Sequence, residues 1–246
     1  MAYGWAMAGT ARVVAVCAAM LASPAMAEEE DEIEELPRSP LSAVIFGSLD
    51  AGPTKTLLSV GWKRSWGGGP ARSGFRTIVK SGSSVEQADR LSSRGIAYKS
   101  EKQVLLGYEW RVGDSFVSLY AGSDFESEIR QTARAIQWTT RYGTRLQADL
   151  WATPTTDTML QAGAYVSSLN GRIWGRLAPG WRLARDVHAG PEIEGYRERD
   201  YRKVRLGLHL TGLRLLGVNW RVSGGWQRTS DRPSEPYATV GLHWQR

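Results

Sequence analysis

The stretch Gln137–Ala152 reads QWTTRYGTRLQADLWA, and its period decides the fold. Its even positions are Trp138, Thr140, Tyr142, Thr144, Leu146, Ala148, Leu150 and Ala152. Its odd positions are Gln137, Thr139, Arg141, Gly143, Arg145, Gln147, Asp149 and Trp151. Successive side chains of a strand point to opposite faces, so this alternation describes one long strand with an apolar face and a charged one. A strand of a soluble sandwich alternates too, but its length is nearer ~5–6 residues. A strand that crosses an outer membrane takes ~9–11 residues at a tilt, apolar outside and polar inside, with aromatic girdles. The stretch fits the membrane strand better.

Twelve such strands can be read along the chain, at about 43–50, 54–64, 73–82, 102–112, 115–124, 137–152, 158–168, 171–183, 187–197, 200–215, 218–229 and 237–245. Val104, Leu106, Tyr108, Trp110 and Val112 alternate with Gln103, Leu105, Gly107, Glu109 and Arg111. Near the end, Ala238, Val240, Leu242 and Trp244 alternate with Tyr237, Thr239, Gly241 and His243. This closing strand resembles the assembly signal of outer-membrane barrels, although Arg246 and not an aromatic is terminal. An even number of strands lets the first and last pair antiparallel, which removes both sheet edges. The connections tend to alternate as well. Short turns such as Gly113-Asp114 and Ala184–Asp186 fall on the periplasmic side, and links that are longer or more polar (83–101, 125–136, 198–199 and 230–236) fall outside, with the longish periplasmic link 65–72 and the short outer links 51–53 and 169–170 as exceptions. The expected fold is all-β, an antiparallel outer-membrane barrel of about twelve strands.

The chain begins with what reads as an export leader. Arg12 supplies the positive region, Val13–Ala22 the apolar core, and Ala25-Met26-Ala27 an A-x-A cleavage site, so residues 1–27 are assigned as signal peptide. The one cysteine, Cys17, lies in the leader, so the mature chain has no thiol chemistry. Residues 28–42 are read as an acidic, mobile segment, opened by EEEDEIEEL with its seven acids. That leaves 43–246 as the barrel domain. The whole chain has 31 Lys and Arg against 25 acids; without Arg12 and the seven acids the remainder holds 30 against 18. In an exported protein this basic excess points away from nucleic acid, and its position along the strands must account for it.

Alternation places Glu109, Arg111, Arg141, Arg145, Asp149, Arg172, Arg176, Arg182, Arg205 and Arg221 on the lumen side. Two readings stand. These residues line a wet or plugged lumen and pair with one another, or they form an Arg-rich constriction for anionic or polyhydroxylated solutes. Trp151 and Trp174 share the predicted inner face and are the candidates for stacking on sugar rings. The charged segments YRERD (196–200) and QRTSDRPS (227–234) fall on the extracellular rim, where they are either solvated or in contact with lipopolysaccharide phosphates or an emerging polymer.

Enzyme chemistry finds no support. A lipid hydrolase needs a Ser oriented by His and a third polar group. The histidines are His188, His209 and His243; none stands in a hydrolase-like motif, and the last two face inward on this reading. No Cys/His cluster has metal-ligand spacing. Gly67-Gly68-Gly69-Pro70 lacks the Lys-Ser/Thr of a phosphate loop. No catalytic, cofactor-binding or metal residue is assigned, and no cofactor is expected.

The segments Gly107–Arg111 (GYEWR), Thr140–Trp151 (TRYGTRLQADLW), Gly175–Leu183 (GRLAPGWRL), Gly190–Asp200 (GPEIEGYRERD) and Ser223–Ser230 (SGGWQRTS) resemble the cellulose biosynthesis protein BcsS family. The resemblance runs from about Phe46 to Trp244. It implies an exported protein encoded beside bacterial cellulose synthase genes, and it supplies no catalytic or binding residues to carry over. The expected function is that of a non-enzymatic accessory in the outer membrane, assisting export or surface presentation of cellulose. The expected partners are outer-membrane lipid and lipopolysaccharide, cellulose and other cellulose-secretion components. A lipid-modifying outer-membrane hydrolase and a periplasmic polysaccharide-binding β-sandwich are the rival readings.

Overall fold

Each alternating segment becomes a strand with one apolar and one polar face, and the only way to bury neither backbone edge in lipid is to close the sheet. The computed structural model describes residues 43–66, 69, 71–90, 93–132, 135–199 and 201–245. The leader and the acidic segment assigned to residues 1–42 lie outside them. The strands are β1 (Ala43–Ala51), β2 (Lys55–Ser65), β3 (Gly74–Arg90), β4 (Ser93–Val112), β5 (Ser115–Thr132) and β6 (Ile136–Thr155). They continue as β7 (Thr158–Ser167), β8 (Arg172–Ala184), β9 (Val187–Glu198), β10 (Tyr201–Leu215), β11 (Val218–Thr229) and β12 (Glu235–Gln245). Each pairs antiparallel with its sequence neighbours, and β1 closes on β12 from Val44↔Gln245 to Ala51↔Ala238. The result is a closed twelve-stranded antiparallel barrel of the outer-membrane type.

The faces sort as alternation requires. Val104, Leu106, Leu146, Leu177, Val204 and Leu208 are exposed on the outer wall, where hydrocarbon replaces water. With the start of β1 and the end of β12 toward the periplasm, Trp62, Phe75, Trp110, Trp181 and Trp244 ring the periplasmic end as an exposed aromatic girdle. The inner wall is polar: Arg76, Gln103, Glu109, Asp124, Arg145, Arg172 and Arg205 are all buried in it. A small apolar cluster of Phe46, Ile78, Leu105 and Tyr120 interrupts this polarity on the β1–β5 side. β10 carries a bulge between Thr211 and Leu213, and Gly212 sits there at φ 90. A Cβ at that position would lie 1.9 Å from the Asp186 carbonyl oxygen, so glycine is required.

Two expectations about the outer side are corrected. The segments 83–101 and 125–136, read as long loops, are mostly strand: β3 and β4 are 17 and 20 residues long, β5 and β6 are 18 and 20, and the links between them fall at 91–92 and 133–135. The polar residues that looked like loop, such as Ser83, Ser84, Glu126 and Glu128, continue the alternation. Polarity on both faces followed from these strands leaving the membrane, where the outer face no longer has to be apolar. The rhythm of short inner turns and long outer loops therefore gives way to mostly short links on both sides, the β2–β3 link at 66–73 excepted, and a four-stranded extracellular extension. The other strands are 9 to 15 residues long. β6 first meets β7 at Arg145↔Ser167, so residues 136–143 of β6 have a ladder partner only in β5. The extension has a free edge.

Candidate functional site

All ten charged residues read as lumen-lining are on inward-parity positions, and the acids that pair with them come largely from positions the sequence reading passed over. At the periplasmic end, Glu109 is fully buried among Lys63, Arg111 Nε at 2.6 Å and Arg76 Nη2 at 3.5 Å. Arg76 also donates to the carbonyls of Phe75, Gly69 and Arg72, tying this cluster to the β2–β3 link. Lys63 and Arg111 lie over the Phe116 ring at 5.0 and 4.9 Å. Arg182, at the same end, is exposed and donates to Asp157 in the β6–β7 turn, with Nε at 2.9 Å. It belongs to the periplasmic rim more than to the lumen.

In the middle of the barrel, Arg145 donates from Nε and Nη2 to Asp124 Oδ2 at 3.1 and 2.9 Å and stacks on Tyr165 at 3.7 Å, while Ser167 donates to the same oxygen. Asp149 accepts from Gln147 at 2.8 Å. Trp174 stacks on Tyr165, with ring centroids 5.5 Å apart and an interplanar angle of 21°, and Arg176 sits 5.9 Å from the Trp174 ring. Trp151 is half-buried on an inward position, one strand from Phe116. On the opposite wall, Arg205 of β10 grips Asp50 of β1 with two nitrogens, at 2.5 and 2.9 Å, and also reaches Gln227 and the Tyr237 ring. Arg221 donates to Glu192. Arg176 has no ion pair among the described residues, and its Nε has no hydrogen-bond partner. The same holds for ion pairing of the inward Lys80.

At the extracellular mouth, Arg172 binds Glu101 at 3.2 Å, Glu126, and Glu198 at 3.3 Å. Arg141 binds Glu126 at 3.0 Å and lies 3.9 Å from Glu128, which also accepts from Arg130 at 2.7 Å. Above them lies a vestibule of about 310 Å³ whose walls include Lys99, Arg130, Arg141, Tyr196, Tyr201 and Arg232. Burial pushes the Glu128 carboxyl up, but Lys99, Arg130 and Arg141 together outweigh it and hold the group below the usual carboxylate range. Glu198 at the rim behaves likewise: burial opposes ionisation, and Arg172, with hydrogen bonds from Tyr196 and Asn170, prevails.

The lumen is thus a set of ion-paired tiers. Fixed, opposite charges cancel one another's fields, so the wall offers far less net attraction to an anion than a ring of unpaired Arg. Asp50, Asp124, Glu126, Glu128, Glu192, Glu194 and Glu198 complete these tiers. The signal for three of them was present in Asp124–Arg130, DFESEIR, where Asp124, Glu126, Glu128 and Arg130 alternate with Phe125, Ser127 and Ile129.

Of the histidines, His209 is buried between Thr211 Oγ1, 3.1 Å from Nδ1, and the Pro179 carbonyl, 2.9 Å from Nε2. A groove of about 420 Å³ on the outer wall is lined by small and aliphatic residues such as Ala148, Ala162, Ala164, Gly175 and Leu177, with neither Ser nor His in it. A Ser–His pair is not found among the described hydrogen bonds.

The chain is similar in fold to the KdgM porin in complex with disordered oligogalacturonate, at 11% identity over 82% of this chain and 98% of that one, with a TM-score of 0.47. It is similar to the translocator domain of the autotransporter NalP from Neisseria meningitidis at 14% identity, 86% and 91% coverage and a TM-score of 0.47. It is also similar to outer membrane phospholipase A from Escherichia coli at 13% identity, 87% and 94% coverage and a TM-score of 0.43. No curated protein matches the chain. The family described as cellulose biosynthesis protein BcsS matches residues 44–246.

Proposed function

Because the chain belongs to the cellulose biosynthesis protein BcsS family, we propose that it is a non-enzymatic outer-membrane accessory that presents cellulose at the cell surface and does not conduct the polymer through its lumen. The observation that carries this reading is the packing of the lumen. Arg76, Glu109 and Ser118 on one wall are fully buried, and Met159, His209 and Thr211 on the other are nearly so. A glucan chain threading the barrel has to separate ion pairs such as Arg172–Glu101 and Arg205–Asp50, whose partners lie three or four strands apart, and a separated buried charge is strongly unfavourable. An occluded barrel instead offers its extracellular surface: a charged vestibule, short links and a tall extension. The same proposal includes export by a leader cut after Ala27, and contact of the rim bases with lipopolysaccharide.

The test is a deletion strain of the source bacterium, scored for surface cellulose by dye binding and for total glucan. Loss of surface-retained polymer, restored by the wild-type gene, is the expected result. Unchanged surface cellulose overturns the accessory role. Release of fatty acid or lysolipid from outer-membrane vesicles by the purified barrel would overturn its non-enzymatic character.

A further inference from the structure

The outer face of the extracellular extension carries exposed aromatic side chains. The rows across β4, β5 and β6 are set by register. Lys102, Phe125 and Tyr142 form one row, Ser100, Ser127 and Thr140 the next, Tyr98, Ile129 and Trp138 the third, and Ile96, Gln131 and Ile136 the last. Below these rows come Val104, Ser123 and Thr144, and then the wholly apolar row Leu106, Ala121 and Leu146. Lys102, with Phe125 and Tyr142 beside it, therefore marks the membrane interface, where an ammonium and aromatic rings both sit comfortably. The hydroxyl row follows, and Trp138 lies four residues beyond Tyr142, ~13 Å further along the strand. Trp138 is 74% exposed and Tyr142 79%. Tyr98 and Ile136 are exposed as well. Large apolar side chains held in water by a rigid sheet mark a binding surface.

We propose that this face, centred on Tyr98 and Trp138 with Tyr142 at its foot, is a docking platform for a neutral β-linked glucan. The inference rests on the accessory role above and assigns that role a surface. Three observations select the occupant. Over Ile96–Ser100, Ser127–Gln131 and Ile136–Thr140 the outward side chains bear no charge, whereas the inward face of the same strands carries Lys99, Glu128, Arg130 and Arg141. Around Tyr98 and Trp138 an anionic lipid headgroup finds no cation in their own row or in the rows on either side, and a neutral polyhydroxylated chain needs none. Aromatic rings alternate with hydroxyls, matching a sugar ring that has an apolar C–H face and a polar rim. Trp138 Nε1 donates to Ser127 Oγ at 3.0 Å, and Phe125 packs on Tyr142 with centroids 5.0 Å apart, so two of the rings are held in place before any ligand arrives. The free edge of β6 leaves the Trp138 side of the platform unobstructed by a neighbouring strand.

The test uses the full-length, detergent-solubilised, heat-modifiable barrel incubated with microcrystalline cellulose, and separately with vesicles containing lipopolysaccharide. The variants are Trp138→Ala with Tyr98→Ala, and Trp220→Ala in the periplasmic half as a control that alters an aromatic without touching the platform. Wild type and the control are expected to be retained on cellulose, and the double variant on the order of tenfold less, with its heat-modifiable band intact. Equal retention of the double variant, or retention of wild type on lipopolysaccharide but not on cellulose, overturns the platform. A double variant that folds and loses cellulose binding while the deletion strain still displays cellulose normally overturns the accessory role and leaves the platform standing. The two ideas fail separately.

Discussion

Arg172, the first residue of β8, lies 3.2 Å from Glu101 of β4, four strands away around the barrel. The same guanidinium binds Glu126 of β5 and Glu198 of β9, so one side chain spans the lumen mouth and ties three strands to β8. Arg172 is 2% exposed and Glu126 1%, so solvent does little to screen that pair. Replacing Arg172 by Ala leaves three carboxylates without their common partner. The expected destabilisation is about 3 kcal/mol, read as a lower unfolding midpoint by heat-modifiability. Arg172→Lys keeps the charge but not the planar fork, and an intermediate midpoint is expected. An unchanged midpoint for Arg172→Ala means that the mouth is held by something else.

The periplasmic tier makes a conductance prediction. Lys63, Arg111 and Glu109 form a block over Phe116. The wild-type barrel in a planar bilayer is expected to pass little ion current, and a Lys63→Ala, Glu109→Ala, Arg111→Ala variant to pass several-fold more. A wild-type barrel with porin-like steady conductance would falsify the occluded lumen.

Much of this architecture is legible in the sequence, for a physical reason. Lipid forces the outward positions to be apolar and the lumen keeps the inward ones polar, so each membrane strand declares itself by period. That is why all twelve strands and the inward parity of residues such as Arg145, Arg176 and Trp174 could be read. The extension was not legible, because outside the membrane the outward face is free to carry Ser81, Ser83, Ser100 and Ser127, and apolar/polar contrast fades. The pairing of the lumen was only partly legible as well. Alternation gives the face of Arg205, but that Asp50, three strands away, receives it depends on barrel radius and shear.

Acid should loosen the mouth before the barrel. Glu128 titrates below the ordinary 4.5 because Lys99, Arg130 and Arg141 overcome its burial. Its ion pairs therefore contribute fully above about pH 4.5, where an unfolded chain also carries the charge, and are lost as pH falls through the lowered folded value. Glu198 has the same sign. Proteolysis or amide exchange confined to the tips of β3–β6 is expected to rise below the ordinary carboxylate range while the heat-modifiable core persists. In Glu128→Gln this acid-dependent increment should shrink. If the tips are equally protected at pH 3 and pH 7, these carboxylates do not hold them.

Export makes a prediction of mass. If the leader is cut within Ala25-Met26-Ala27 after its last residue, N-terminal sequencing of the outer-membrane protein gives Glu28 first. A mature protein that retains Cys17 means that the A-x-A site is not used.

Gly61 and Phe46 face each other across β2 and β1, and both point into the lumen. A Cβ on Gly61 would lie 2.2 Å from the Phe46 ring, which in turn packs on Ile78, Leu105 and Tyr120. Gly61→Ala must therefore shift that ring against the cluster, and overpacking of this kind costs about 1–3 kcal/mol. The second-site change Phe46→Leu removes the colliding ring edge, so the double variant should recover much of the loss, as a coupling energy between neighbours in contact. Gly195→Ala is the matched control, since a Cβ there meets nothing within 4 Å, and its unfolding midpoint should stay near wild type. If Gly61→Ala behaves like Gly195→Ala, Phe46 has another place to go, and the apolar cluster on the β1–β5 wall is looser than its packing implies.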